Sequence, residues 1–228
     1  MTEHSSLIQD WKMITNIQIN SNYINTESVL SILDAFQRKW VFGQGDSSNM
    51  NAFVDAAHQS FLFANSIERI KSLLSQGKTV LQENLAALVK ELKFIEVFGI
   101  NTQNLMQAKE LKAAQVVIKV IEAFHKESDH EPEYLQITER AIHALSVLLR
   151  NPDVVMPLLE HPSNFQQIMF VIKDYRKFPR IMSQALVVLR LVISRSEAKD
   201  VALQQFQTLA QLIQHISAYS KNETQVSL

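Results

Sequence analysis

Ala141-Ile142-His143-Ala144-Leu145-Ser146-Val147-Leu148-Leu149 recurs as Ala185-Leu186-Val187-Val188-Leu189-Arg190-Leu191-Val192-Ile193, 44 positions later. Phe165-Gln166-Gln167-Ile168-Met169-Phe170-Val171-Ile172 recurs as Phe206-Gln207-Thr208-Leu209-Ala210-Gln211-Leu212-Ile213, 41 positions later. An alanine followed by leucine four residues on, with apolar residues again at the next turn, lays one apolar stripe along a helix. A single such helix cannot bury its stripe. Two copies about 40 residues apart therefore predict helices stacked on helices of the same kind.

Composition agrees. Only 4 Gly and 5 Pro occur in 228 residues, fewer than a sheet protein with many tight turns needs. The formal charge of -1 supplies no global field for nucleic acid or an anionic membrane. The absence of cysteine excludes disulfides, thiolate catalysis and thiolate-ligated metals, and fits a reducing compartment. Met1 to Ser6 leads into no long apolar run of the kind a secretory leader requires, and no stretch reaches the ~18 apolar residues that would span a bilayer. The sequon at Asn222-Glu223-Thr224 is accordingly read as unused. The expected location is cytoplasmic.

Taken in order, residues 1–25 read as a weakly structured, partly disordered N-terminal segment. It holds a short amphipathic piece (Leu7, Ile8, Trp11, Ile14) and then an Asn- and Ser-rich loop. Asn25 or Thr26 caps a helix to about Trp40, and Gly43-Gln44-Gly45 marks a loop. A long helix is expected from Met50 to Ser75, ending at a left-handed Gly77, and the next from Thr79 to a left-handed Gly99. One helix is expected over 103–124. Its β-branched run at residues 116–121 is assigned to helix by length and by the absence of turn signals. His125 to Glu133 reads as a polar hinge. Five helices follow, at about 134–150, 153–160, 164–174, 179–194 and 197–219, with Pro152, Pro157, Pro162 and Pro179 at or near helix starts. Residues 26–219 thus form one helical domain, with a long-helix part (26–126) and a repeat part (134–219), followed by a tail at 220–228.

Over about residues 134–219 the Ala-x-x-x-Leu helices, the short helices between them and the period resemble armadillo and HEAT repeats. The resemblance implies an all-α, right-handed stack of antiparallel amphipathic helices, an armadillo/HEAT-like α-solenoid. It also implies peptide or protein binding along a groove or concave face. A regular ladder of Trp and Asn, as in import adaptors, is not present: Trp11 and Trp40 both lie outside the repeats.

The candidate partner-binding residues are Lys173, Tyr175, Arg176, Lys177, Arg180 and Arg190. Lys173-Asp174-Tyr175-Arg176-Lys177-Phe178-Pro179-Arg180 sets cations and aromatics between two helices, where charge and stacking together would hold phosphate, an acidic peptide or RNA. The competing reading is a solvated corner whose Tyr175 and Phe178 pack inward, and a single basic patch on a near-neutral chain is weak footing for nucleic acid. His125, Asp129, His130, Glu131 and Glu133 carry metal-capable groups, but their spacing matches no ligand motif, and a polar loop is the expected outcome. His58, His143 and His215 lie on helices with no nucleophile or carboxylate at a known spacing. Gly43-Gln44-Gly45 lacks the strand and the Gly-Lys-[Ser/Thr] of a phosphate loop. Carboxylates gathered by folding, Glu83 or Glu91 with Glu110, are the one catalytic arrangement left open.

The expectation is a non-enzymatic module, with no cofactor or metal, that binds a protein or peptide and neither nucleic acid nor a membrane interior. It would bury Ala141, Leu145, Leu148, Ile168, Ile172, Ala185, Leu189, Val192, Phe206, Leu209 and Ile213. The alternative is a closed helical bundle holding a lipid or apolar small molecule near Phe53, Phe61, Phe63, Met169 and Met182.

Overall fold

The computed structural model describes Met13, residues 26–36, Arg38, and residues 62–100, 102–125 and 131–194. These residues contain ten delineated α-helices and no strand. They are α1 (Thr26–Phe36), α2 (Leu62–Ser75), α3 (Lys78–Glu83), α4 (Leu85–Phe98), α5 (Thr102–Glu110), α6 (Ala113–His125), α7 (Pro132–Leu148), α8 (Pro152–Leu159), α9 (Pro162–Asp174) and α10 (Pro179–Ile193). None of them is long and apolar enough to cross a membrane.

Three proline-led helices begin where the sequence places them. Pro152, Pro162 and Pro179 each occupy the first turn, where the missing N–H has no intrahelical partner to lose. Pro132 does the same for α7. Asn151 caps α8, its side chain accepting from the Asp153 N–H at 3.0 Å. Pro157 lies inside α8, which is only eight residues long. The β-branched run is helical as expected: Val116, Val117, Ile118, Val120 and Ile121 lie in α6 and are all buried.

Two expected helices are broken. The Thr79–Gly99 helix divides at Asn84, which leaves helical geometry (φ -115°, ψ 28°) while its side-chain amide donates to the Val80 carbonyl at 2.8 Å. The 103–124 helix divides at Leu111-Lys112, where Lys112 takes the left-handed region (φ +52°). The periodicity is blind to both breaks, because they interrupt the helical run by only one residue (Asn84) and two residues (Leu111 and Lys112). Gly77 does have positive φ (+92°). Gly99 does not: it is right-handed (φ -66°), and its glycine requirement is one of space. A Cβ there would sit 2.6 Å from the Ile95 carbonyl oxygen and 3.1 Å from Val147 Cγ1, so the absent side chain lets α4 and α7 approach.

Packing joins like to like. α5, α6 and α7 are short, medium and long; α8, α9 and α10 repeat that order; and α5 contacts α8, α6 contacts α9, and α7 contacts α10. α2 and α4 precede them, with α2 against α4 and α6, and α4 against α7. The Ala141 and Ala185 copies are therefore neighbours on α7 and α10. Ala141, Leu145, Leu148, Ala185, Leu189 and Val192 are all buried, as are Ile168 and Ile172 of α9. Residues 206–213 lie outside the described set. The like-to-like contacts begin at Thr102, ahead of the expected division at 126–134, and one hydrophobic cluster runs from Leu30 to Val192.

Side-chain amides staple consecutive helices. Asn104 donates to the Phe98 carbonyl at 2.9 Å and Asn164 to the Leu158 carbonyl at 2.7 Å; each is the third residue of its helix, capping the end of the helix before it. Asn151 donates to Leu105 O and Gln115 to Pro157 O, both at 2.9 Å, tying the α5–α6 region to α8.

The two positive-φ residues among those described, Lys112 and Gly77, yield opposite expectations. Lys112→Gly removes a strained L-residue and should raise stability by about 0.5–1 kcal/mol, whereas Gly77→Ala should lower it by about 1 kcal/mol. Urea denaturation of both variants checks this; equal effects in one direction would contradict the backbone assignment.

Candidate interaction site

The α9–α10 corner is built from beneath. Tyr175 ends α9, its N–H donating to Val171 O at 3.0 Å, and Phe178 turns the chain by donating to Tyr175 O at 2.9 Å. Phe178 precedes Pro179 in extended geometry, which is what a residue before proline prefers. The two rings pack with centroids 6.1 Å apart. Tyr175 is only 1% exposed, and its hydroxyl lies 3.4 Å from Thr138 Oγ1 on α7. Burial pushes the Tyr175 phenol above its ordinary pKa, with the Thr138 hydrogen bond acting in the opposite direction.

That geometry corrects one expectation. Tyr175 belongs to the core and cannot stack on a partner; Phe178 is half-buried against the same core. What reaches solvent is charge. Lys173, Arg176, Lys177 and Arg180 are all exposed around one turn, with Asp174 also exposed among them. Arg180 has Glu139 of α7 at 4.0 Å, but with Arg180 87% and Glu139 40% exposed the pair is solvent-screened and holds neither side chain firmly. Arg190 is exposed too, but in the last turn of α10. Ten residues of helix separate it from Arg180, roughly 15 Å at 1.5 Å per residue. It does not belong to the corner.

A second polar cluster escaped the sequence reading. Residues 88–98 of α4 are all buried, including Lys90, Glu91, Lys93 and Glu96. Glu96, at 0% exposure, accepts through Oε2 from Lys93 Nζ at 3.3 Å and Arg140 Nη1 at 3.1 Å, with His143 Nδ1 at 3.3 Å from the same oxygen. Lys93 also pairs with Asp34 of α1. Glu91 accepts from Arg69 Nη1 of α2 at 2.9 Å. Desolvation lowers the Lys90 pKa, opposed by the nearby charge of Glu91. The signal was present: Val89, Phe94, Val97 and Phe98 fall off the Leu88/Leu92/Ile95 stripe, and a helix apolar on every side is a buried one.

The remaining candidates resolve individually. His143 is the Glu96 partner just described. Glu91 is engaged by Arg69, while Glu83 and Glu110 are exposed, and no pairing joins these carboxylates among the described residues. Glu131 and Glu133 are exposed at the start of α7, and no group of three or more His, Cys, Asp or Glu fit to hold a metal occurs among the described residues. Phe63, Met169 and Met182 pack in or against the main core. Phe53, His58, Phe61, Asp129, His130 and His215 lie outside the described residues. Comparison with protein-family models, with curated proteins and with solved structures finds no match.

Raised by burial, the Tyr175 pKa makes a signed prediction. The native state keeps this proton at pH values where the unfolded chain, titrating near 10, has lost it. The Tyr175 contribution is therefore fully present below about pH 10 and is lost as pH rises through the native value. Tyr175→Phe should flatten the fall in unfolding free energy above pH 10 relative to wild type, at a cost of no more than about 1 kcal/mol at pH 8. Parallel urea titrations across that range test it; identical slopes would contradict a buried Tyr175.

Proposed function

We propose that this chain is a non-enzymatic interaction module, an armadillo/HEAT-like stack of antiparallel helices that docks a protein segment rather than transforming a substrate. The observation that carries the reading is the pairwise contact of like helices across the α5–α6–α7 and α8–α9–α10 units, each long helix lying beside its counterpart. Such an array offers a continuous surface across successive helices, the feature repeat proteins use for binding. A cytoplasmic location is part of the same proposal, and a cysteine-free chain is compatible with it.

Within the array, the α9–α10 corner is the proposed contact. Lys173, Arg176, Lys177 and Arg180 gather four cations over a turn fixed by buried Tyr175 and half-buried Phe178, against the single carboxylate of Asp174 within the same stretch. A rigid basic corner suits an acidic peptide segment, which Arg engages through bidentate hydrogen bonds. With Tyr175 withdrawn into the core, stacking on bases is not available there, and nucleic acid is disfavoured.

Reversing Lys173, Arg176, Lys177 and Arg180 to Glu should abolish retention of acidic peptides from an immobilised peptide library. Arg190→Glu should leave retention within about twofold, because a charge more than a Debye length away is largely screened at physiological salt. Equal loss from Arg190→Glu, or retention unchanged by the fourfold reversal, would refute the corner as the contact.

A further inference from the structure

The α9–α10 corner shares its edge of the molecule with charges of the opposite sign. Tyr175 lies against Thr138 and Arg180 against Glu139, so α10 begins beside Thr138 and Glu139 of α7. From Glu139 back to Glu133 is about 9 Å of helix at 1.5 Å per residue. There α7 starts, with Glu131 at its N-cap position and Glu133 in its first turn, both exposed. The exposed cations of Lys173, Arg176, Lys177 and Arg180 and these two carboxylates are therefore neighbours, held at a fixed separation by packed helices.

Helix ends account for the carboxylates better than for the cations. The positive end of a helix favours a carboxylate such as Glu133 and disfavours a cation. Lys173 suits the last turn of α9. Arg180, however, is the second residue of α10, whose first turn holds no acidic residue. The start of α10 and Arg180 thus both call for an anion, and Glu139, at 4.0 Å and solvent-screened, supplies it loosely. Along the same edge the field changes sign within about one Debye length at physiological salt. A uniformly acidic segment gains at the corner and is repelled where it runs on over Glu131 and Glu133. A segment that changes sign gains at both.

Resting on the reading of the corner as an acidic-peptide contact, we propose that the starts of α7 and α10 together select a segment of mixed charge in a partner protein. Its carboxylates lie over the α9–α10 corner, and a Lys or Arg lies over Glu131 and Glu133. An extended chain covers about 9 Å in roughly three residues, which sets the spacing between the acidic run and the first cation.

The test measures binding of fluorescent peptides to the full chain. One peptide carries a run of glutamates alone. Two others add a pair of lysines about three residues beyond the run, on its N-terminal or its C-terminal side. One mixed peptide should bind at least about threefold more tightly than the glutamate-only peptide, the scale of two exposed ion pairs. Glu131→Gln combined with Glu133→Gln should remove that preference and leave the glutamate-only peptide bound at least as tightly as by wild type. Equal binding of all three peptides, or a preference that survives the double substitution, overturns this inference and leaves the corner reading standing. Failure of every peptide to bind overturns both. Should the double variant not fold, the wild type decides: moving the lysines to about nine residues from the run, roughly 30 Å of extended chain, should abolish the preference. A preference indifferent to that spacing overturns the proposal.

Discussion

Glu96 is the residue on which the arrangement turns. It lies in the last turn of a helix with no exposed face between Leu88 and Phe98, and its carboxylate collects Lys93 from its own helix and Arg140 and His143 from α7. A carboxylate taken wholly out of water is tolerated only with charged or hydrogen-bonding partners held in place. The demand is directional. It fixes α7 beside α4 in one register, where apolar packing alone would accept several. The close approach at Gly99 and Val147 sits on the same helix pair, so steric fit and charge agree on one placement.

From α7 outward the structure propagates by repetition. α7 packs on α10, each burying alanines and leucines at matching positions, while α6 packs on α9 and α5 on α8. Small residues at Ala141, Ala144 and Ala185 permit close helix packing, and the larger Leu145, Leu148 and Leu189 fill the spaces between. The amides of Asn104, Asn164 and Gln115 then satisfy carbonyls in the last turns of helices, at Phe98, Leu158 and Pro157, while that of Asn151 reaches Leu105 within α5. In the proposed reading, function would belong to surfaces laid across neighbouring helices rather than to a cleft.

Much of this was legible in the chain itself. The Ala141 and Ala185 copies announced neighbouring helices, and proline marked where helices start. The breaks at Asn84 and Lys112 were not legible, since each rests on one residue's backbone geometry and leaves the apolar period almost undisturbed. Gly99 was read for conformational freedom when its meaning is space. Of the six candidate partner residues, Lys173, Arg176, Lys177 and Arg180 lie exposed at one corner, whereas Tyr175 is buried and Arg190 lies apart. Tyr175 follows the inward face that its helix ends on, and Arg190 shares a helix with Arg180 without sharing a neighbourhood. The Glu96 cluster was hidden because charged side chains at 90, 91, 93 and 96 look like a solvated face until the apolar residues around them are counted. Which helix covers a given face is decided by contacts between residues far apart in sequence, here Asp34 with Lys93 and Glu96 with Arg140.

The most direct measurement is a double-mutant cycle on Glu96 and Arg140, using Glu96→Gln and Arg140→Met so that shape is largely kept while the charge pairing is removed. Unfolding free energies of the four proteins should give a coupling of about 0.5–3 kcal/mol, the range for contacting residues within one ion-pair network. A coupling below about 0.5 kcal/mol would mean that α4 and α7 are not joined through Glu96, and that the placement of every helix beyond them rests on something else.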